Sequence, residues 1–261
     1  MIFASKVVAI TGAAGGIGQS LCRFFGKEGA SIAAIDQSPE IVGFANELKS
    51  SGIKVSHAVA DIGDSQGIAA AFAKLDAELG TIDILVNNAG FSSHPTFAST
   101  TPDSWQYEMN ANLNGYYYCA HAVLNGMKAK RSGCIVAIGS VNALGALGDP
   151  AYSAAKAGLV SLTKSLALEY GRYNIRSNIV LPGTVRTPLW ERRAAKDPTV
   201  LETLRKWYPL GRIVDPDDIA RAVAFLASDD ASAITGIALP VDCGLSAGNI
   251  VMARELTLEN F

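Results

Sequence analysis

What the 261-residue sequence lacks narrows its function first. It has no surplus of positive charge: 22 Lys and Arg stand against 24 Asp and Glu, for a net charge of -2. Nothing in that balance would neutralise a phosphate backbone or an anionic membrane surface, so neither nucleic acid nor membrane is an expected partner. Nor does it contain the roughly 18 apolar residues, free of charge and turn signals, that a spanning helix needs. The four cysteines, Cys22, Cys119, Cys134 and Cys243, are scattered singly. Without the paired spacing of a zinc or thiol redox site they read as core-filling thiols, and no metal is expected. Linkers and internal repeats are absent as well. The apolar start, Met1 to Thr11, lacks a basic leader and a small-residue cleavage site. It reads as a first strand, and a cytoplasmic location is expected.

What is present is a globular balance, 49% hydrophobic and 18% charged, in a chain long enough to bury one large core. Short β-branched runs alternate with longer helical patterns. The strand candidates are 6–11, 31–36, 54–59, 82–86, 133–139, 176–181 and 237–241, and helical stretches begin near Gly16, Pro39, Asp64, Thr101, Ala151, Thr187 and Asp215. That rhythm predicts an α/β fold: a single doubly wound Rossmann domain over 1–261, with a seven-stranded, mainly parallel sheet and helices on both faces. Two stretches resist it. Residues 187–212, rich in Arg, Lys and Pro, read as a candidate substrate lid, and 244–261 as a tail with an intersubunit role.

Directly after the first strand comes Thr11-Gly12-Ala13-Ala14-Gly15-Gly16-Ile17-Gly18, opening a helical pattern. Glycines here let the backbone approach a pyrophosphate, while free N–H groups and the dipole at the helix start favour negative charge. Asp36 closes the second strand where an acidic side chain can accept hydrogen bonds from ribose hydroxyls and repel a 2′-phosphate. No Arg or Lys stands at positions 35, 37 or 38 or inside the turn, so NAD is expected over NADP. Asp36 could instead open the following helix, and Asp61-Ile62 after the third strand could cap a helix or touch adenine.

Tyr152 and Lys156, in Tyr152-Ser153-Ala154-Ala155-Lys156, lie four apart on one helical face. A cation close to a phenol favours the phenolate, so Lys156 is expected to pull the Tyr152 pKa down and make it usable as a base. With the glycine turn, Asn87-Asn88-Ala89-Gly90, Asn112-Leu113-Asn114-Gly115, Ser140 and Pro182-Gly183, in this order and on successive strand ends, the sequence from Lys6 to Gly244 resembles the short-chain dehydrogenase/reductase family.

The resemblance implies that Tyr152 is the general acid/base, Ser140 polarises the substrate oxygen, Lys156 holds the nicotinamide ribose and Asn112 completes a proton relay. It implies that Gly12, Gly16, Ile17, Gly18, Asp36, Asp61, Ile62, Asn88 and Gly90 serve the cofactor, with Pro182, Gly183 and Thr187 at its carboxamide end. Substrate contacts are expected just past the strand ends: Ser92, Ser93 and His94; Val141, Asn142 and Leu147; Leu189, Trp190 and Arg193. This mix suits a hydroxylated substrate such as a polyol, sugar or cyclic diol. The expected activity is NAD-dependent oxidation of a secondary alcohol. The alternatives are a carbonyl reductase, such as a 3-oxoacyl or ketone reductase, and a non-catalytic nucleotide-binding regulator, which would be expected to have lost Tyr152 or Lys156. A homotetramer is also implied. The run Tyr116-Tyr117-Tyr118 could serve its interface or pack in the core. Cys243 departs from the family pattern, standing where a glycine is usual.

Overall fold

The computed structural model describes residues 1–197 and 199–259, the side chains of Leu189, Arg192 and Arg193 excepted. Seven strands, β1 (Val7–Thr11), β2 (Ser31–Asp36), β3 (Val55–Val59), β4 (Ile84–Asn87), β5 (Gly133–Ile138), β6 (Ile175–Pro182) and β7 (Ala238–Val241), pair in the order β3-β2-β1-β4-β5-β6-β7. Every neighbouring pair is parallel. The mainly parallel sheet read from the sequence is thus fully parallel, the Rossmann arrangement. The order reverses between β1 and β4, and a crevice opens at such a switch point.

Alternation along the strands explains the layers. In β1, Val8 and Ile10 enter one core with Leu21, Phe25, Phe44, Leu48, Ile219 and Val223. Val7 and Ala9 enter the other with Ile68, Leu75, Tyr116, Val123 and Leu159. Successive side chains point to opposite faces, so a strand covered on both faces must be apolar at every position. β1 is buried along its whole length. The first core is covered by α1 (Gly16–Lys27), α2 (Ile41–Ser50) and α9 (Pro216–Ala227), the second by α3 (Ser65–Leu79), α5 (Gly115–Lys130) and α6 (Pro150–Tyr170). Each fully buried Leu or Ile contributes about 1.5–3 kcal/mol.

Helix starts follow local chemistry. Thr101 and Ser104 exchange side-chain and backbone bonds as a capping box, with Pro102 opening α4 (Pro102–Met109). Asp215 and Pro216 open α9 in the same way. Asp36 does not start the following helix, since α2 begins five residues later at Ile41. Between α4 and α5 the chain makes a π-helical turn, Asn110–Asn114, an irregularity common at functional sites. Residues 187–212 hold two short helices, α7 (Pro188–Lys196) and α8 (Val200–Arg205). A parallel bridge between Val185 and Val214 closes the base of this excursion. The tail carries α10 (Ile250–Thr257), started by Asn249 accepting from the Met252 N–H at 3.0 Å. No helix among the described residues is long and apolar enough to cross a membrane.

Candidate active site

The carboxyl ends of β1, β2 and β4 frame a cavity of about 540 Å³, within the range of small-molecule and cofactor sites. Its floor is the glycine turn: Gly12, Ala14, Gly15, Gly16 and Ile17. Asp36, Gln37 and Glu40 line one end, Ala60, Asp61 and Ile62 a side, and Asn88, Ala89, Gly90 and Phe91 the middle. Thr187 and Pro188, from the segment after β6, close the outer wall. A Cβ on Gly16 would come within 2.9 Å of Pro188, so the wall rests on the turn. Gly18 sits beneath, where a Cβ would meet the Gly12 carbonyl oxygen. Gly12 itself turns through φ +63° with the backbone of Ala89 against it, a position suited to a residue without Cβ. Pro182 and Gly183 lie at the end of β6, with Gly183 packed on Tyr208 and Asp242; they support the wall without lining the cavity.

The polar side chains here are fastened to backbone. The Asp36 carboxylate accepts the Ala14 N–H at 2.9 Å and the Ser38 N–H at 2.9 Å, bracing the turn against β2. The Asn88 amide donates to the carbonyls of Thr11 (2.9 Å) and Gly12 (3.1 Å), and the Thr11 hydroxyl accepts the N–H groups of Asn88 and Ala89. Asp61 accepts the Gly63 N–H at 2.8 Å and lines the cavity, but it does not start the next helix: the N-cap of α3 is Asp64, whose side chain accepts the Gln66 N–H. These residues fit a dinucleotide: turn N–H groups for the phosphates, a carboxylate for ribose hydroxyls.

Beside the cavity lie the side chains expected to carry the chemistry. Ser140, almost fully buried, follows β5; its hydroxyl donates to Asn142 Oδ1 at 3.2 Å and lies close enough to the Tyr152 phenol to favour its charged form. The Asn142 N–H donates to Ser140 Oγ at 3.2 Å, and the Asn142 amide donates to Ser153 Oγ at 3.0 Å. Asn142 thereby ties the Ser140 turn to the start of α6. Lys156, one turn beyond Tyr152, is 2% exposed, with Nζ 5.3 Å from the Tyr152 ring centre. It donates to the Ile138 carbonyl (2.9 Å) and to the Tyr116 hydroxyl (3.0 Å).

One expectation is corrected here. Burial pushes the Tyr152 phenol up to about 12, the Ser140 hydrogen bond opposing and the Asp149 charge adding to the rise. Burial likewise brings Lys156 down to about 7. Proximity alone does not turn Tyr152 into a ready base: the same burial that brings the two groups together disfavours charge on both.

Asn112 is fully buried, and its side chain is spent. Its amide donates to the carbonyls of Phe91 (2.8 Å) and Glu108 (3.0 Å), and its Oδ1 accepts the Phe91 N–H at 3.2 Å. A Cβ on Gly90 would lie 2.6 Å from Asn112 Oδ1 and 3.3 Å from Lys156 Nζ, so Gly90 is where cavity, amide and lysine converge. His94 stands at the loop after β4. Its Nδ1 lies 2.7 Å from Ser93 Oγ, which donates to buried Glu108 at 2.7 Å. Trp190 is half-buried on α7, and the Arg193 and Leu189 side chains lie outside the described residues. Arg186 faces Asp215 at 3.4 Å.

Sequence reading missed Tyr116 as a Lys156 partner and Glu108 as the anchor of Ser93 and His94. A signal existed: Glu108, Asn112 and Tyr116 recur at four-residue spacing, the interval of one helical face.

Comparison with known proteins follows the same lines. A family model described as enoyl-(acyl carrier protein) reductase matches residues 12–246. A solved oxidoreductase of the short-chain dehydrogenase/reductase family from Burkholderia thailandensis is 50% identical, covers 98% of both chains and superposes with a TM-score of 0.92. The chain belongs to the short-chain dehydrogenase/reductase family. An oxidoreductase of Schizosaccharomyces pombe, C922.06, is 42% identical over 100% of this chain and 98% of that one. The 2,3-dihydro-2,3-dihydroxybenzoate dehydrogenase of Bacillus subtilis is 38% identical over 93% and 97%. A gluconate 5-dehydrogenase of Burkholderia cenocepacia, solved with NADP and tartrate, is 34% identical over 94% and 96%, with a TM-score of 0.88. As an oxidoreductase of this family the protein takes a nicotinamide cofactor and a small-molecule substrate.

Proposed function

We propose that this oxidoreductase oxidises a secondary alcohol of the polyol, sugar or cyclic diol class to a carbonyl, with NAD as hydride acceptor and Tyr152 as acid/base. The observation that carries this reading is the Tyr152 phenol close to the Ser140 hydroxyl, one helical turn from Lys156, beside a cavity floored by the glycine turn. With its phosphates on that floor, a nicotinamide dinucleotide would supply the carbon that accepts or gives hydride. Ser140 donates to the substrate oxygen and orients it, and Tyr152 takes the hydroxyl proton. Lys156 holds ribose hydroxyls at the Gly90 wall, and its charge favours the Tyr152 phenolate. Asn112, its side chain committed, holds the Phe91 loop and the π-helical turn in place. The relatives named for a cyclic diol and a sugar acid support the substrate class.

NAD is favoured by the Asp36 carboxylate at the cavity end, with no Lys or Arg at 35, 37 or 38. The NADP-bound gluconate dehydrogenase makes this the point to test. A second reading, a carbonyl reductase, is favoured by one observation: a Tyr152 phenol near 12 is protonated at neutral pH, the form that gives a proton to a carbonyl oxygen. Assembly as a homotetramer through α5 and α6 accounts for exposed Tyr117 and Leu168 on those helices, and a cytoplasmic setting is part of this proposal. The experiment is turnover of the purified protein with NAD or NADP against polyols, sugars, cyclic diols and their ketones, read by reduced-nicotinamide absorbance. NAD-linked alcohol oxidation supports the proposal. NADP preference overturns the reading of Asp36, and turnover confined to ketones favours the second reading.

A further inference from the structure

The Lys156 ammonium is held from behind by a residue that no part of the mechanism above uses. Tyr116 opens α5 and is 1% exposed. Its phenol donates to the Ile138 carbonyl at 2.9 Å, and it accepts from Lys156 Nζ at 3.0 Å. Because the single phenolic proton is committed to Ile138, the lone pair must face the lysine. The Ile138 carbonyl accepts from Nζ as well, at 2.9 Å. Two oxygens, themselves locked to each other, thus take two of the three ammonium protons.

The remaining surroundings of Nζ are known from each packed element. Tyr152 lies on its own helix, the Tyr116 ring on α5 at 4.6 Å, and Gly90 and Asn112 on the cavity side. No carboxylate is among its hydrogen-bond partners. Burial also raises the Tyr116 phenol, keeping it a neutral donor throughout the working pH range.

We infer that Tyr116 is a positioning residue. Its hydroxyl, braced on Ile138, fixes Lys156 so that the third N–H points at the Gly90 wall and Tyr152, and it stabilises the charged form of the lysine. The inference rests on the reading of Tyr152 and Lys156 as the reacting pair. It adds that the charge on Lys156 is set by a phenol on a different helix. A hydrogen bond to a charged group is worth enough to move a titration by about one unit.

The test is the Tyr116→Phe variant, which keeps the ring and removes only the oxygen. Lysine side chains labelled at Cε are titrated by NMR, and the Lys156 signal is assigned by its loss in Lys156→Met. The Lys156 midpoint falls by about one unit in Tyr116→Phe relative to the parent protein. In alcohol oxidation kcat falls about tenfold near neutral pH while the KM for cofactor changes less than threefold, the acid limb of the pH profile moving with Tyr152. An unchanged Lys156 midpoint overturns the inference, even if the melting temperature drops, because a packing role alone would leave the titration where it is. Should Tyr116→Phe fail to fold, 19F NMR of fluorotyrosine-labelled parent protein decides. The Tyr116 resonance must follow pH in the range where Lys156 titrates and stay flat in Lys156→Met, and a flat resonance in both overturns it. The lysine titration needs no substrate, so it stands apart from the acid/base reading, which fails if Tyr152→Phe keeps full turnover.

Discussion

The two sides of the active-site crevice are built by different means. On the cofactor side, polar groups bind backbone of neighbouring strands: Asp36 to Ala14, Asn88 to Thr11 and Gly12, Thr11 to Asn88 and Ala89. Its shape is set by the fold's own hydrogen bonds. On the substrate side, loops carry exposed apolar side chains such as Leu144 and Leu147, and two short helices, α7 and α8, stand on a base closed by a single bridge. A fixed surface suits a cofactor common to every turnover, and an adaptable one suits the group that distinguishes substrates.

The largest effect separates chemistry from shape. Tyr152→Phe lowers turnover about a thousandfold while cofactor affinity, followed by calorimetry, stays within about twofold. Loss of both together would break the comparison. Lys156→Met also removes activity, yet it stabilises the protein by roughly 2–4 kcal/mol at pH 7. The sign follows from protons. Burial brings the folded Lys156 down to about 7, so between that value and its higher unfolded value the unfolded chain binds more protons. The penalty is therefore full below pH 7 and relieved as pH rises toward 10. Denaturant titrations should show parent stability gaining on the variant over that window.

On the cofactor side, Gly90→Ala forces Asn112 and Lys156 apart and costs about 2 kcal/mol, visible as a lower melting temperature. Asp36→Ser is expected to shift the NADP/NAD ratio of kcat/KM by about tenfold toward NADP, a change of roughly 1.4 kcal/mol. The smallest effect sharpens the other half: Leu147→Ala leaves stability within about 0.5 kcal/mol and raises substrate KM a few-fold with cofactor KM constant.

The same division decides what was legible. β2 falls on the residues read from the sequence, Ser31 to Asp36, because burial on both faces demands a continuous apolar run. The start of β4 slipped to Ile84, since Asp83 just before it is used to accept the Val7 N–H at 2.8 Å. The glycine turn and the Tyr152 to Lys156 spacing are local in sequence and so could be read. Tyr116 meeting Lys156 across two helices is a tertiary contact with a sequence separation of 40, and the depth that raises Tyr152 comes from the whole core. Cys243, where a glycine is usual, does hold a left-handed φ of +53°. The departure from the family pattern was visible in the sequence, while the left-handed backbone behind it was not.

The contact of Pro188 with Gly16 has a kinetic consequence. Pro188 begins α7 and also walls the cofactor cavity, so one segment borders both ligands. A dinucleotide in the cavity would lie against that segment, whose helix leads on toward the second site. Binding in a compulsory order is the expected outcome, cofactor first and the carbonyl product leaving before the reduced cofactor, with product inhibition in steady-state kinetics competitive only between the two forms of the nicotinamide.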